Sequence, residues 1–358
     1  MNRLLLFLIS LTILTSSCND DFSINSGWSD NTLVMGILCA SDTAQYIRIN
    51  KSFLGEGDVY EMAKVSDSIQ YALVLDVSLI EYSIISTSDS PFNESNWKRT
   101  TRDTIKLVRT DEIRKSEVNP EGEAGTFATD HNYLYKTTAS LVDGYKYKLY
   151  IKIPGKIQPV WAETYMISKL VTSTPSKNDQ PNKKIFMDIG YTMKWESAIY
   201  AKIYQPKIRF NYIEFANGDT VDKNITIEYP MQTVDALRTP DPYETGIDLN
   251  QSVGGSDFYK NLAQKIEANQ QVKRRFKSID FIFLAGGDDF NTYLNVSQTE
   301  LSYGQSTPEF SNIQNGNGLF DNRFRYEIKG RILSISSIDS LVNGSFTKHL
   351  NFDVNLAQ

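Results

Sequence analysis

The chain has 358 residues, with 37 Lys and Arg against 43 Asp and Glu, two His and two Cys. A formal charge of −6 lacks the basic stripe that nucleic acid requires, so no nucleic-acid partner is expected. Two cysteines cannot build a disulfide framework, and His131 and His349 are too remote to pair as ligands, so no Cys- or His-based metal centre and no cofactor are expected.

The first element is an apolar run from Leu4 to Leu14, preceded by Arg3. As a helix it would span only about 16 Å against a bilayer core of roughly 30 Å, so residues 1–17 read as a signal peptide rather than a membrane span. Losing them would take the formal charge from −6 to −7, because Arg3 goes and no acid does. Thr15, Ser16 and Ser17 then lead into Cys18. This arrangement resembles the bacterial lipobox, in which the cysteine is acylated and left as the first residue, although Thr15 holds the place usually given to Leu. Acyl chains on Cys18 would anchor the protein to the outer membrane, since each buried methylene contributes about 0.8 kcal/mol and several chains hold stably. Asn19, Asp20 and Asp21 resemble the acidic signal that sends such lipoproteins to the outer leaflet. Residues 18–31 mix Ser, Asn, Gly and Asp and read as a tether.

From 32 to 171 the apolar residues recur at period two, which marks half-buried antiparallel strands. Strands are expected near 32–40, 45–53, 69–76, 78–86, 103–109, 132–139, 144–153 and 161–171, a number and length that suit an immunoglobulin-like β-sandwich. In the first, Leu33, Met35, Ile37 and Cys39 share one face, with Cys39 a buried structural thiol. In "GYKYKLYIKI", Tyr145, Tyr147, Leu149, Ile151 and Ile153 face one way. "EIRKSEVNPEGEAG" is polar, with Gly and Pro, and reads as a loop or frayed hairpin. Residues 172–184 have no large apolar side chain and form the expected linker, so the sandwich is expected to fold alone.

Residues 185–358 mix periods and read as an α+β domain, an antiparallel sheet with about two helices. Two strands are expected to join through Asn217–Gly218. A helix follows over 256–276, with Phe258, Leu262, Ile266, Gln270 and Arg274 on one stripe and a basic C-terminal end. "SIDFIFLAGG" reads as a buried strand, "DDFNTYLNVSQTEL" as a second helix and "RFRYEIKGRILSI" as a strand.

The segments "NTLVMGILCA", "YIRINKSF", "GYKYKLYIKI", "AETYMISKL" and "FSNIQNGNGLFDNRF" occur in an order similar to that in a group of Bacteroidetes surface lipoproteins of unknown function. Those proteins often accompany TonB-dependent outer-membrane receptors. The resemblance implies an immunoglobulin-like N-terminal domain and a cell-surface role, with such a receptor as partner. It carries over no catalytic residue.

Chemistry is sparse. No G-x-S-x-G elbow and no phosphate-binding loop is present. Asp288 and Asp289 follow a buried strand and could form a carboxylate or cation site, or cap the next helix. Arg274 and Arg275 could grip an anionic ligand, or form the solvated basic end of their helix. Trp97 could stack on a sugar ring or pack beneath a loop. Asn315 and Asn317 could contact a ligand, or supply turn geometry. The function expected is a non-enzymatic surface lipoprotein that binds a glycan or peptide or assists a TonB-dependent receptor. The alternatives are an adhesin or pilus-associated subunit and, third, a carboxylate-dependent glycoside-active enzyme.

Overall fold

The computed structural model describes residues 31–52, 58–86, 97–118, 122–180, 183–216, 218–241, 243–297 and 309–353. The expected signal, Cys18 and almost all of the expected tether lie outside these residues. Among the described residues the chain is mainly β, a β-rich sandwich followed by an α+β unit.

The N-terminal half holds β1 (Thr32–Leu38), β2 (Gln45–Lys51), α1 (Val59–Ala63), α2 (Ser66–Ile69), β3 (Asp76–Ser86), β4 (Trp97–Thr110), β5 (Leu134–Thr137), β6 (Lys146–Lys152) and β7 (Val160–Tyr165). They are hydrogen-bonded in the order β1-β2-β5-β4-β3-β6-β7. One layer is β1-β2-β5 and the other β4-β3-β6-β7, with β4 passing between them where Val108–Thr110 pairs β5. That is the strand order of an immunoglobulin-like sandwich. Alternation explains the core: on β6, Tyr147, Leu149 and Ile151 are 0%, 1% and 0% exposed.

Three expectations are corrected here. Residues 69–76 form no strand; a short helix ends at Ile69 and β3 starts at Asp76. The last strand stops at Tyr165 rather than 171. On β1 the buried face is Thr32, Val34 and Leu38, while Leu33 and Met35 are 39% and 38% exposed. Cys39 is buried all the same, because the strand ends at Leu38 and the chain turns.

The second half holds β8 (Val171–Thr174), β9 (Lys184–Ile185), β10 (Tyr191–Glu196), β11 (Ile203–Ala216), β12 (Asp219–Glu228), β13 (Gln232–Thr233), β14 (Asp248–Val253), α3 (Gly255–Lys265), β15 (Lys273–Gly286), α4 (Asp288–Ser297), β16 (Asn317–Leu333), α5 (Ile335–Asn343) and a 3-10 turn at Lys348–Leu350. Strands β12-β11-β15-β16 form an antiparallel sheet. The β11–β12 hairpin pairs Ala216 with Asp219, and Gly218 takes the left-handed conformation (φ +91°) its two-residue loop needs. A small sheet, β14-β10-β8, packs on the larger one through Trp195 against Phe283, with ring centroids 5.4 Å apart. Phe258 of α3 meets Phe210 edge-on, and the Tyr259 hydroxyl donates to the Ser337 carbonyl of α5 at 2.7 Å.

Helix α3 ends at Lys265, not at 276, so Arg274, Arg275 and Phe276 belong to a strand. Helix α5 is a third helix of this half; the Ser334 hydroxyl caps it by accepting from the Ser337 N–H. The expected linker is also corrected. Thr172 pairs with Trp195 in a sheet, and the Arg331 guanidinium donates to the carbonyls of Ser176, Asp179 and Gln180. A buried cation, in place of apolar side chains, holds this polar segment down.

The two halves share β16. Its first residues, Asn317–Asn322, run parallel to β1, and its later ones pair with β15. Phe320 and Ile313 lie in the sandwich core, whereas Ile328 and Leu333 lie in the core of the second half. Trp161 and Gln314 exchange backbone hydrogen bonds of 3.2 and 2.8 Å, which closes the sandwich on its β7 side.

Candidate functional site

The residues singled out in the sequence fall in separate places. Trp97 begins β4 opposite Ser86. Arg274 is 3% exposed and its guanidinium is spent: it donates to Glu214 at 2.9 Å, to the Leu350 carbonyl at 2.7 Å and to the Glu267 carbonyl at 3.0 Å. It pins the C-terminal segment and offers nothing to an external anion. Arg275 lies over the Phe215 ring, 5.5 Å from its centroid. Asn315 takes a left-handed conformation (φ 59°) and donates to the Pro159 carbonyl at 2.8 Å. Asn317 opens β16 opposite Leu33.

Asp288 and Asp289 open α4 and sit in its first turn, where acids suit the positive end of the helix. Asp289 accepts from the Asn312 amide at 2.7 Å. The helix is capped from another strand: Asp321 of β16 accepts from the Phe290 N–H at 2.7 Å and from the Thr164 hydroxyl at 2.7 Å. Burial pushes the Asp321 pKa up to about 6, with those hydrogen bonds opposing. Asn322 beside it donates to Thr164 and to the Tyr165 carbonyl, both at 2.8 Å, and accepts from the Ile167 N–H at 2.9 Å. Gly287 leaves the room, since a Cβ there would lie 2.4 Å from an Asp321 oxygen. A cleft of about 300 Å³ borders this seam. Among the described residues no group of three or more His, Cys, Asp or Glu is arranged to hold a metal ion. The arrangement fastens α4 and β7 to β16.

A larger concavity lies elsewhere, on the outer face of β1 and β2. It encloses about 610 Å³ and is walled by Leu33, Ile69, Val118 and Phe127, with Arg48, Lys51 and Lys115 around it. A volume of this size suits a small-molecule ligand. The antiparallel register places Met35 opposite Arg48 and Leu33 opposite Asn50, so the apolar row and the cation share the outward face. The opposite wall is the segment after β4. There Val118 bridges Ala124 and the Gly125 N–H donates to the Glu117 carbonyl at 3.0 Å. Ala128 anchors this wall to α1, its N–H donating to the Ala63 carbonyl at 2.8 Å.

Lys115 is the electrostatic centre. Its ammonium donates to the Ala128 carbonyl at 2.7 Å. Burial lowers its pKa and the nearby Arg48 charge lowers it further, against Asp130 and Asp111. Among the described residues neither Arg48 nor Lys115 has a salt-bridge partner within 4.0 Å. The Arg48 charge disfavours the Lys115 ammonium, and an anion between the two beside apolar walls would relieve that repulsion. Sequence reasoning misses this site. Arg48 is legible as outward-facing from its alternation with Ile47 and Ile49, but nothing local pairs it with Lys115, 67 positions away.

No protein-family model matches the chain, and no curated protein matches it. Among solved structures it is similar to the C-terminal globular domain of an oligosaccharyltransferase from Pyrococcus abyssi, at 12% identity and a TM-score of 0.20. That match covers 70% of this chain and 41% of the other. At that score the likeness carries no argument about fold or activity.

Proposed function

We propose that the chain is a lipid-anchored binding protein of the cell surface, and that the cavity between Arg48, Lys115 and Phe127 receives an anionic small-molecule ligand. The observation that carries the reading is the cation pair without a salt-bridge partner among the described residues, set against an apolar wall in a protein of net negative charge. Apolar walls supply affinity and a few placed charges fix orientation, as in ligand cavities generally. The carboxylates that suggested hydrolysis sit at a helix start, with Asp289 engaged by Asn312.

The surface setting rests on Cys18 and the segment before it. Replacing Cys18 by Ala should abolish fatty-acid labelling; a variant that still takes the label would remove the anchor from this reading. Service beside a TonB-dependent receptor fits such an anchor, and a native-membrane purification that recovers no β-barrel partner would count against it.

The cavity is tested with anilinonaphthalene sulfonate, an anionic fluorescent probe. Saturable binding should weaken at least about tenfold in the double variant R48E/K115E, a loss of about 1.4 kcal/mol. It should be unchanged in K223E, a reversal on an exposed edge strand. Equal binding by wild type and R48E/K115E would show that the cavity is not the site.

A further inference from the structure

The cavity beside Arg48 continues past Leu33. A second cavity of about 560 Å³ is bounded by Tyr293, Val296, Phe310 and Asn317, and it shares Leu33 and Ser52 with the first. Tyr293 and Val296 lie three apart on α4 and therefore on one side of that helix. The helix packs on β16, where Leu319 is fully buried directly beside Met35 of β1. Leu33 and Met35 stay more than a third exposed, so α4 does not cover the apolar row of β1.

The two ends differ in charge. Arg48, Lys51 and Lys115 all border the first cavity. The second has no cation among its described lining residues, and its one charged group is Glu309. We infer that the groove holds a free single-chain carboxylate amphiphile, its head between Arg48 and Lys115 and its chain running over Leu33 to Tyr293, Val296 and Phe310. The inference rests on the reading of the first cavity as a ligand site and adds the ligand's polarity, direction and length.

A chain that lies in the second cavity should bind more tightly as it lengthens, by about fourfold for each methylene removed from water. Calorimetric titration of the full chain with hexanoate, octanoate, decanoate and dodecanoate, each below its micelle concentration, reads this directly. The expected result is affinity climbing with length in the wild type, a dodecanoate-to-octanoate ratio that collapses in V296D, and loss of dodecanoate binding in R48E/K115E. If the sulfonate probe binds as described but affinity is flat with length, or if V296D keeps the wild-type ratio, the amphiphile is overturned and the first cavity stands. Dodecanoate binding that survives R48E/K115E overturns the inference too, because the head then lies elsewhere. Binding seen only with dodecanoate in phosphatidylcholine vesicles would point to a membrane surface and would also overturn it. A second copy of the chain seated in the groove would appear as concentration-dependent dimerisation lost in V296D, and that result would equally overturn the amphiphile.

Discussion

Asp321 shows how much one buried carboxyl decides at the residue scale. Its oxygens accept from Thr164, Phe290 and Asn322, yet burial outweighs these bonds and raises its pKa to about 6. A carboxyl whose folded pKa exceeds its unfolded value favours the fold when protonated. That contribution is fully present below the unfolded pKa near 3.8 and is lost as pH rises through about 6. Asn at this position cannot titrate. The stability of D321N relative to wild type should therefore improve between about pH 4 and pH 7, by up to roughly 3 kcal/mol. Other carboxyls slope the opposite way, Asp280 among them. Burial raises its pKa, but the Gly330 N–H, the Asn211 amide and the Arg209 guanidinium together hold it below the usual range. The informative quantity is thus the difference between the two proteins, from urea unfolding at several pH values. Parallel curves would mean that Asp321 does not titrate in this window.

At the element scale, the sequence is legible wherever period and burial coincide. On strand β6 the expected inward Tyr147, Leu149 and Ile151 are buried, although Lys146 of the opposite face is buried as well. Strand β1 alternates as well, but its apolar residues occupy both faces, so period alone could not choose the inner one. The core takes Val34 and Leu38 and leaves Leu33 and Met35 outside, which is what creates the groove. Helix α3 reads too long in the sequence because Phe258, Leu262 and Ile266 continue in step to Gln270 and Arg274. Gln270 is the signal of its end. A stripe that turns polar has left the core, and the chain there turns to place Phe276 on a strand, 5.4 Å from Phe210. Helix α5 is short and serine-rich, and serine is an ordinary rather than a strong helix former. Its cap at Ser334 and the contact of Tyr259 with Ser337 hold it in place. The groove beside Leu33 is illegible for a related reason. Its cations come from β2 and from a loop after β4, and long-range pairing brings them together, since β5 pairs with both strands and sets Leu134 opposite Arg48 and opposite Thr110.

At the scale of the whole molecule there are two cores, but position along the chain does not divide them: Ile313 and Phe320 belong to the sandwich core, and Ile167 and Leu170 to the other. Parallel pairing of β16 with β1 joins Leu33 to Asn317, with no turn between them for a sequence to announce. The segment "NIQNGNGLF" reads locally as a glycine-rich turn, and its glycines serve that long-range contact. At Gly318, with φ +119°, a Cβ would lie 2.0 Å from the Val34 carbonyl oxygen. The sandwich therefore borrows a strand from the far end of the chain, against the expectation that it folds alone. Removing that strand uncovers the hydrogen-bonding edge of β1 and takes Phe320, fully buried, out of the core. An uncovered edge is a template for aggregation, and losing a buried Phe side chain costs on the order of 3–5 kcal/mol, much of the stability of a domain this size. A fragment of residues 31–174 is thus expected to aggregate or to unfold without cooperativity. A synthetic peptide of residues 309–333 added in trans should restore a cooperative transition by refilling the β1 edge, and the same peptide with Phe320→Asp should not. Circular dichroism and sedimentation of the fragment, with and without each peptide, measure this. A fragment that is monomeric and unfolds cooperatively by itself would show that the borrowed strand is dispensable and return the boundary to residues 172–184.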